Sequence, residues 1–235
     1  MVDSLSYPKA RTDAAVNSFV RSVYNWMGIG LALTGFIAFY AAHNETMMRI
    51  VFGNSLIFFG LIIAELALVF TISTRVSRMS ASTSTALFVI YSALTGVTLS
   101  FIFLAYAKTS IVSTFFICSG TFLASSIYAW TTKRDLTSLG GFFMMGLMGI
   151  IIASLVNIFI RSSSMSMIIS YIGVFVFIGL TAYDTQKLKD MAQSQPEGLD
   201  AGVIRKGAIV GALSLYLDFI NLFLMLLRIF GANRE

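Results

Sequence analysis

LYLDFINLFLMLLRIFG, from Leu215 to Gly231, decides the fold. It belongs to an apolar run that begins near Gly207, and it carries Asp218 close to the middle of a segment otherwise fit to lie in lipid. An ionised side chain at that depth costs several kcal/mol even on the gentler insertion scales, so an acid there marks a device rather than an accident. Counted from Gly207, Asp218 lies roughly 16 Å along a helix that rises about 1.5 Å per residue. Asn221 follows on the same face at i+3. A second acid, Asp184, closes the preceding apolar run in GLTAYDTQKLK, Gly179 to Lys189. Two consecutive spans joined by one loop run antiparallel, so the end of the first lies beside the first half of the second.

Composition fixes the solvent. The chain is 57% hydrophobic and only 11% charged, where an ordinary globular domain is roughly half apolar and about a quarter charged. It reads as an all-α integral membrane protein. A spanning helix takes about 20 residues, which leaves 235 residues enough for a polar cytoplasmic arm, 1–21, and a single membrane domain, 22–235. The net charge of +5 comes from Lys and Arg placed mainly between apolar runs, where they set topology. The expected partner is therefore the lipid bilayer and not nucleic acid. The single cysteine, Cys118, lies inside an apolar run without a partner, and the single histidine, His43, falls in a short loop. These leave no disulfide, no transition-metal site and no cofactor to expect, and no nucleophile with its base, so the chain does not read as an enzyme.

Seven apolar runs follow in order: about Ser22–Ala42, Ile50–Ser73, Thr85–Tyr106, Ile111–Thr131, Leu139–Ile160, Met167–Tyr183 and Gly207–Gly231. The first is longer than a signal peptide's apolar core and carries Gly28, Gly30 and Gly35, as a packed span does. SASTST, Ser80 to Thr85, suits the start of the third helix. The connections are short except Asp184 to Lys206, which holds Pro196; Pro8 lies in the arm, so no span has a proline kink. Gly141, Gly146, Gly149 and Ala153 in the fifth run, and Gly173 and Gly179 in the sixth, read as helix contact faces. The Phe and Met stripes, as in FFMMGLM, read as lipid-facing or core packing.

Positive charge orients the bundle. With the amino terminus in the cytoplasm, the cytoplasmic segments hold Lys9, Arg11, Arg21, Arg75, Arg78, Lys133, Arg134, Lys187, Lys189, Arg205 and Lys206, eleven in all, against five opposite, Arg49, Lys108, Arg161, Arg228 and Arg234. That count favours seven crossings. A re-entrant seventh segment is the alternative, which charge alone does not exclude.

Asp184, Asp218 and Glu65, with Arg75 and Arg78, fall in the cytoplasmic half of three spans and are expected to line one cavity, because buried charges in a bilayer are paired or hydrated. Asn221 belongs with them as a lining residue. Two carboxyls held close share a proton, and their titration belongs to the pair. Protonated, the pair latches the sixth helix to the seventh; deprotonated, the two repel, and Arg75 or Arg78 can accept one of them. A hard cation such as Ca²⁺ can meet the same oxygen ligands in passing, with Asp184 and Asp218 as its transient site.

GLTAYDTQKLK followed by LSLYLDFINLFLMLLRIFG resembles the signature of the Bax inhibitor-1 family, also called the transmembrane BAX inhibitor motif family. VYNWMGIGLALTGFIAFY (Val23 to Tyr40), AELALVF (Ala64 to Phe70) and TTKRDLTSLG (Thr131 to Gly140) are similar to its bacterial inner-membrane, YccA-like branch. The resemblance covers nearly the whole chain. It implies seven transmembrane helices with the last surrounded by the other six, in a bacterial inner (plasma) membrane. It also implies a pH-sensitive Ca²⁺ leak channel gated by two aspartates, at Asp184 and Asp218, one of which meets an arginine, Arg75 or Arg78, on opening. Some bacterial relatives are instead modulators of a membrane protease. A regulator acting through the arm and a proton-coupled transporter are the competing expectations; no inverted repeat supports the latter.

Overall fold

In a computed structural model, which describes residues 13–194 and 198–232, the chain folds as a bundle of α-helices. In order they are α1 (Asp13–Ala42), α2 (Glu45–Phe52), α3 (Ser55–Arg75), α4 (Ala81–Leu99), α5 (Ile102–Ala105), α6 (Lys108–Thr131), α7 (Gly140–Ile160), α8 (Ser163–Ser194) and α9 (Ala201–Phe230). Seven stretches are long and apolar enough to cross a membrane: α1, α3 with the turn after it, α4 with α5, α6, α7 with the turn before it, α8 and α9. Residues 1–12 of the arm, Pro8 among them, and Pro196 lie outside the described residues.

Side chains at the helix starts do the capping the sequence offers. The Ser80 hydroxyl accepts from Thr83 N at 3.0 Å, as SASTST suggested. Asn44 and Asn54 cap α2 and α3, accepting from Met47 N and Leu56 N. Asp200 caps α9 through Gly202 N. Each supplies an acceptor to one of the N–H groups that a helix start leaves unpaired.

Four boundaries differ from the hydropathy reading. α1 begins at Asp13, so residues 13–21 of the arm continue the first span as helix. Ile50 to Phe52 belong to the short α2, which Gly53 and Asn54 separate from α3. The third run breaks between α4 and α5, where Ser100 Oγ takes the Val97 carbonyl at 2.6 Å and competes with the helical hydrogen bond. The largest correction concerns Asp184 to Lys206: α8 runs on to Ser194 and α9 starts at Ala201, so most of that polar stretch is helix and Asp184 lies three turns inside one. Polarity there reflects helices that project past the apolar layer, since α8 with 32 residues and α9 with 30 exceed the roughly 20 that a bilayer needs.

α9 crosses from one end of the bundle to the other, not in and back. Near its start, Lys206 Nζ donates to the Ser77 carbonyl at 3.3 Å, beside the end of α3. Past its end, Ala107 N donates to Ala232 O at 3.0 Å, beside the start of α6. These contacts lie at opposite ends, and the re-entrant alternative falls. α9 is also the most buried span; it packs on α1, α3, α4, α6 and α8, and faces α7 across a cavity.

Small residues admit close approach at some of the expected places. Gly146 meets Val176, Gly173 meets Met225 and Gly179 meets Phe143. Gly141 and Gly149 are exposed with nothing against them, so these two are not contact positions. The neighbouring Phe142, Met144 and Met145 point outward, as the lipid-facing reading of FFMMGLM requires. Cys118 is a core residue, fully buried, its thiol on the Phe219 carbonyl at 3.6 Å. Gly211 tests the central packing: an added Cβ would sit 2.5 Å from Leu188 and 3.3 Å from Val23, whereas at Gly35 it would meet nothing. Gly211→Val should therefore lower the thermal unfolding temperature of the purified protein, at an overpacking cost of about 1–3 kcal/mol, and Gly35→Val should leave it unchanged.

Candidate functional site

Helix geometry brings the two aspartates together. Gly211 of α9 lies against Leu188 of α8, so in this antiparallel pair Asp184, one turn before Leu188, stands level with about Leu215. Asp218 is then one turn further from the connection. Side chains on a helix lean toward its amino-terminal end. Asp184 therefore leans away from the α8–α9 connection and Asp218 toward it, which brings the two carboxyls within interaction range of each other. Asp218 is 5% exposed. Its Oδ2 has no ordinary donor within reach, and a carboxylate accepts without donating. Two carboxylates cannot donate to each other, so a direct bond between these acids requires a proton on one of them.

The rest of GLTAYDTQKLK fastens this end of α8 in every direction, because successive residues turn by about 100°. Thr185 Oγ1 donates to Ser126 Oγ of α6 at 3.3 Å and lies at the same distance from the Tyr24 hydroxyl of α1. Gln186 is buried and clamps the connection between α6 and α7: its Oε1 accepts from Leu136 N at 2.6 Å and its Nε2 donates to Arg134 O at 2.9 Å. Lys189 Nζ donates to Trp130 O at 2.8 Å and lies over the Trp130 ring. Lys187 stands over the Tyr183 ring and is the cation whose field reaches Asp184. Asp184 is thereby held against Asp218 by a helix fixed to α1, α6 and the adjoining loop.

Asp184, Asp218, Glu65 and Asn221 all line one cavity of about 510 Å³ among α3, α4, α7, α8 and α9. Leu66 of α3 and Met144 and Ile151 of α7 are exposed at its edge. Glu65 stands ten residues from either end of α3, at mid-span rather than in one half, and its Oε1 accepts from Thr98 Oγ1 at 2.8 Å. Asn221 Nδ2 donates to the Leu217 carbonyl of its own helix at 2.8 Å, leaving its amide oxygen for the cavity. Arg75 and Arg78 do not line it; both are exposed, at the end of α3 and in the turn that follows. Among the described residues, no three of His, Cys, Asp and Glu group as metal ligands.

Several residues here escape a reading that follows charge alone. Tyr91, Thr95 and Thr98 give α4 a hydroxyl stripe along the cavity, and Tyr216 behind it bonds Thr34 of α1 at 2.6 Å. The 4- and 3-residue spacing of that stripe in YSALTGVTLS was the available signal. Gln186 gave none, since a lone glutamine past an apolar run resembles a solvated end.

Bundle and site together define a multi-pass membrane protein organised on a central helix with a buried acid pair. A family profile described as inhibitor of apoptosis-promoting Bax1 matches residues 16–235. The chain is 51% identical to an inner membrane protein, YbhL, of Escherichia coli, over 99% of this chain and 97% of that one. It is 48% identical to an uncharacterised protein of Borreliella burgdorferi over 93% of this chain and 94% of the relative. An uncharacterised Deinococcus radiodurans protein is 42% identical over 100% and 98%. The chain belongs to the Bax inhibitor-1 family.

The clamp has a measurable consequence. Gln186→Ala should free the segment between α6 and α7, raising amide hydrogen exchange and tryptic cleavage at Lys133 and Arg134, while Lys206→Ala leaves both at the wild-type rate.

Proposed function

We propose that the protein is a passive cation leak of the bacterial inner membrane, selective enough to pass Ca²⁺ and gated by the Asp184–Asp218 pair. The observation that carries this reading is the contact of two acids inside a membrane-spanning bundle, at the wall of a cavity that also holds Glu65 and Asn221. With one proton shared, the carboxyls hold α8 on α9 by a charge-assisted hydrogen bond. Removing that proton sets two negative charges against each other where screening is weak. One acid must then leave, and Arg75 and Arg78 at the end of α3 are the cations it can reach once α3 shifts. α3 has little to hold it, since it is among the least buried spans. A Ca²⁺ ion passing the open pair meets carboxylate oxygens and an amide oxygen but no closed cage, which suits transit rather than storage.

The positive residues at the α8–α9 end support a cytoplasmic location for that end and for the amino terminus with it. The name of the Escherichia coli relative supports the inner membrane as the location. A regulatory role toward a membrane protease or another membrane protein is the second reading, and it rests on the polar composition of the amino-terminal arm.

Purified protein in liposomes with a trapped Ca²⁺ indicator tests the proposal. Flux through the wild type should vary with pH and be lowest where the pair holds one proton, and Asp184→Asn and Asp218→Asn should each make it independent of pH. Wild-type liposomes that leak no faster than empty ones at any pH would rule out the channel, and deletion of residues 1–12 would then test the regulatory reading.

A further inference from the structure

A second cavity, of about 390 Å³, lies toward the opposite end of the bundle, where Ser154 and Asn157 of α7, Ser166 of α8 and Arg228 of α9 supply its polar lining. The two cavities are stacked along the same groove between α7, α8 and α9. One residue lines both: Leu224. It stands on a single stripe of α9, Asp218, Asn221, Leu224 and Arg228, whose spacings of three, three and four keep all four on one face. Leu217 and Met225 fall on the same face and line one cavity each, whereas Leu224 lines both. The isobutyl group stands at the place where the cavity that holds the acids gives way to the one that holds Arg228.

From this we infer that Leu224 is a hydrophobic gate, a second barrier in series with the acid pair and one turn beyond Asn221. An ion in transit needs continuous water or ligand oxygens, and a short apolar constriction blocks it by excluding water rather than by filling the path. The rotation of α9 that presents Leu224 is fixed by its neighbour, because Met225 sits against Gly173 of α8, with 2.8 Å from Met225 Cγ to the position of an added Cβ. Opening the latch on its own therefore wets only the first cavity. Conduction also requires the seam at Leu224 to widen, and α7, which lines both cavities and is among the least buried spans, is the element free to move there.

This inference rests on the channel reading and is tested apart from it. Ca²⁺ flux into liposomes is measured for the wild type, Leu224→Ser, Leu224→Ala and Leu224→Met at the pH of lowest wild-type flux, with each variant first shown to be monodisperse. A polar or truncated side chain should raise the closed-state leak about tenfold or more, a lowering of the barrier of at least about 1.4 kcal/mol, while Leu224→Met keeps the wild-type value. If Leu224→Ser fails to fold, Leu224→Ala carries the test. A wild type that leaks with the expected pH dependence, beside Leu224→Ser and Leu224→Ala that leak no faster, would overturn the gate and leave the acid latch standing. No flux from the wild type, from either aspartate variant or from any Leu224 variant would overturn both.

Discussion

Two carboxyl groups touch inside a bundle that lipid surrounds, and the arrangement of α8 and α9 follows from what that contact demands. Two like charges in contact repel strongly where the effective dielectric is low, so Asp184 and Asp218 can meet only with a proton between them. The contact also needs both helices in register to within a fraction of a turn. Leu188 against Gly211 sets the register, and Thr185, Gln186 and Lys189 tie the same segment to α1, α6 and the α6–α7 loop. The pair is thus a single titratable contact set in a rigid frame, the combination that the proposed proton-operated latch requires.

The frame is uneven. α9 and the polar end of α8 are locked from several sides, whereas α3 and α7 lie at the periphery, and each presents most of its surface outward. The cavity with the acids opens between these two loosely held helices. Movement that widens it need not disturb the central packing, which places the compliant elements beside the titrating ones. Glu65, at mid-span on α3 and bonded to Thr98, joins the outer helix to α4 through one hydrogen bond.

Much of this was legible in the residues. Seven apolar runs, the acids at positions 184 and 218 and the Ser80 cap could be read directly, because hydropathy and capping are local properties. The family assignment was legible too, because GLTAYDTQKLK and LYLDFINLFLMLLRIFG are long and specific. Helix ends at the α8–α9 connection were not: polar residues there looked like loop, but a helix that leaves the apolar layer stays helical when its neighbour runs beside it. Gly141 and Gly149 looked like contact positions and face outward, since a glycine pattern does not say which side of a helix another helix covers. The role of Gln186 and the place of Leu224 between two cavities are tertiary facts, visible only when separate helices are brought side by side.

The central claim is that a single proton is held between Asp184 and Asp218, and infrared difference spectroscopy of the protein in lipid tests it directly. The account predicts one protonated-carboxyl stretch that changes with pH and that Asp184→Asn and Asp218→Asn each shift or abolish, because the proton belongs to both residues. A band that responds to one variant alone, or a spectrum with no such band across the pH range, would contradict it.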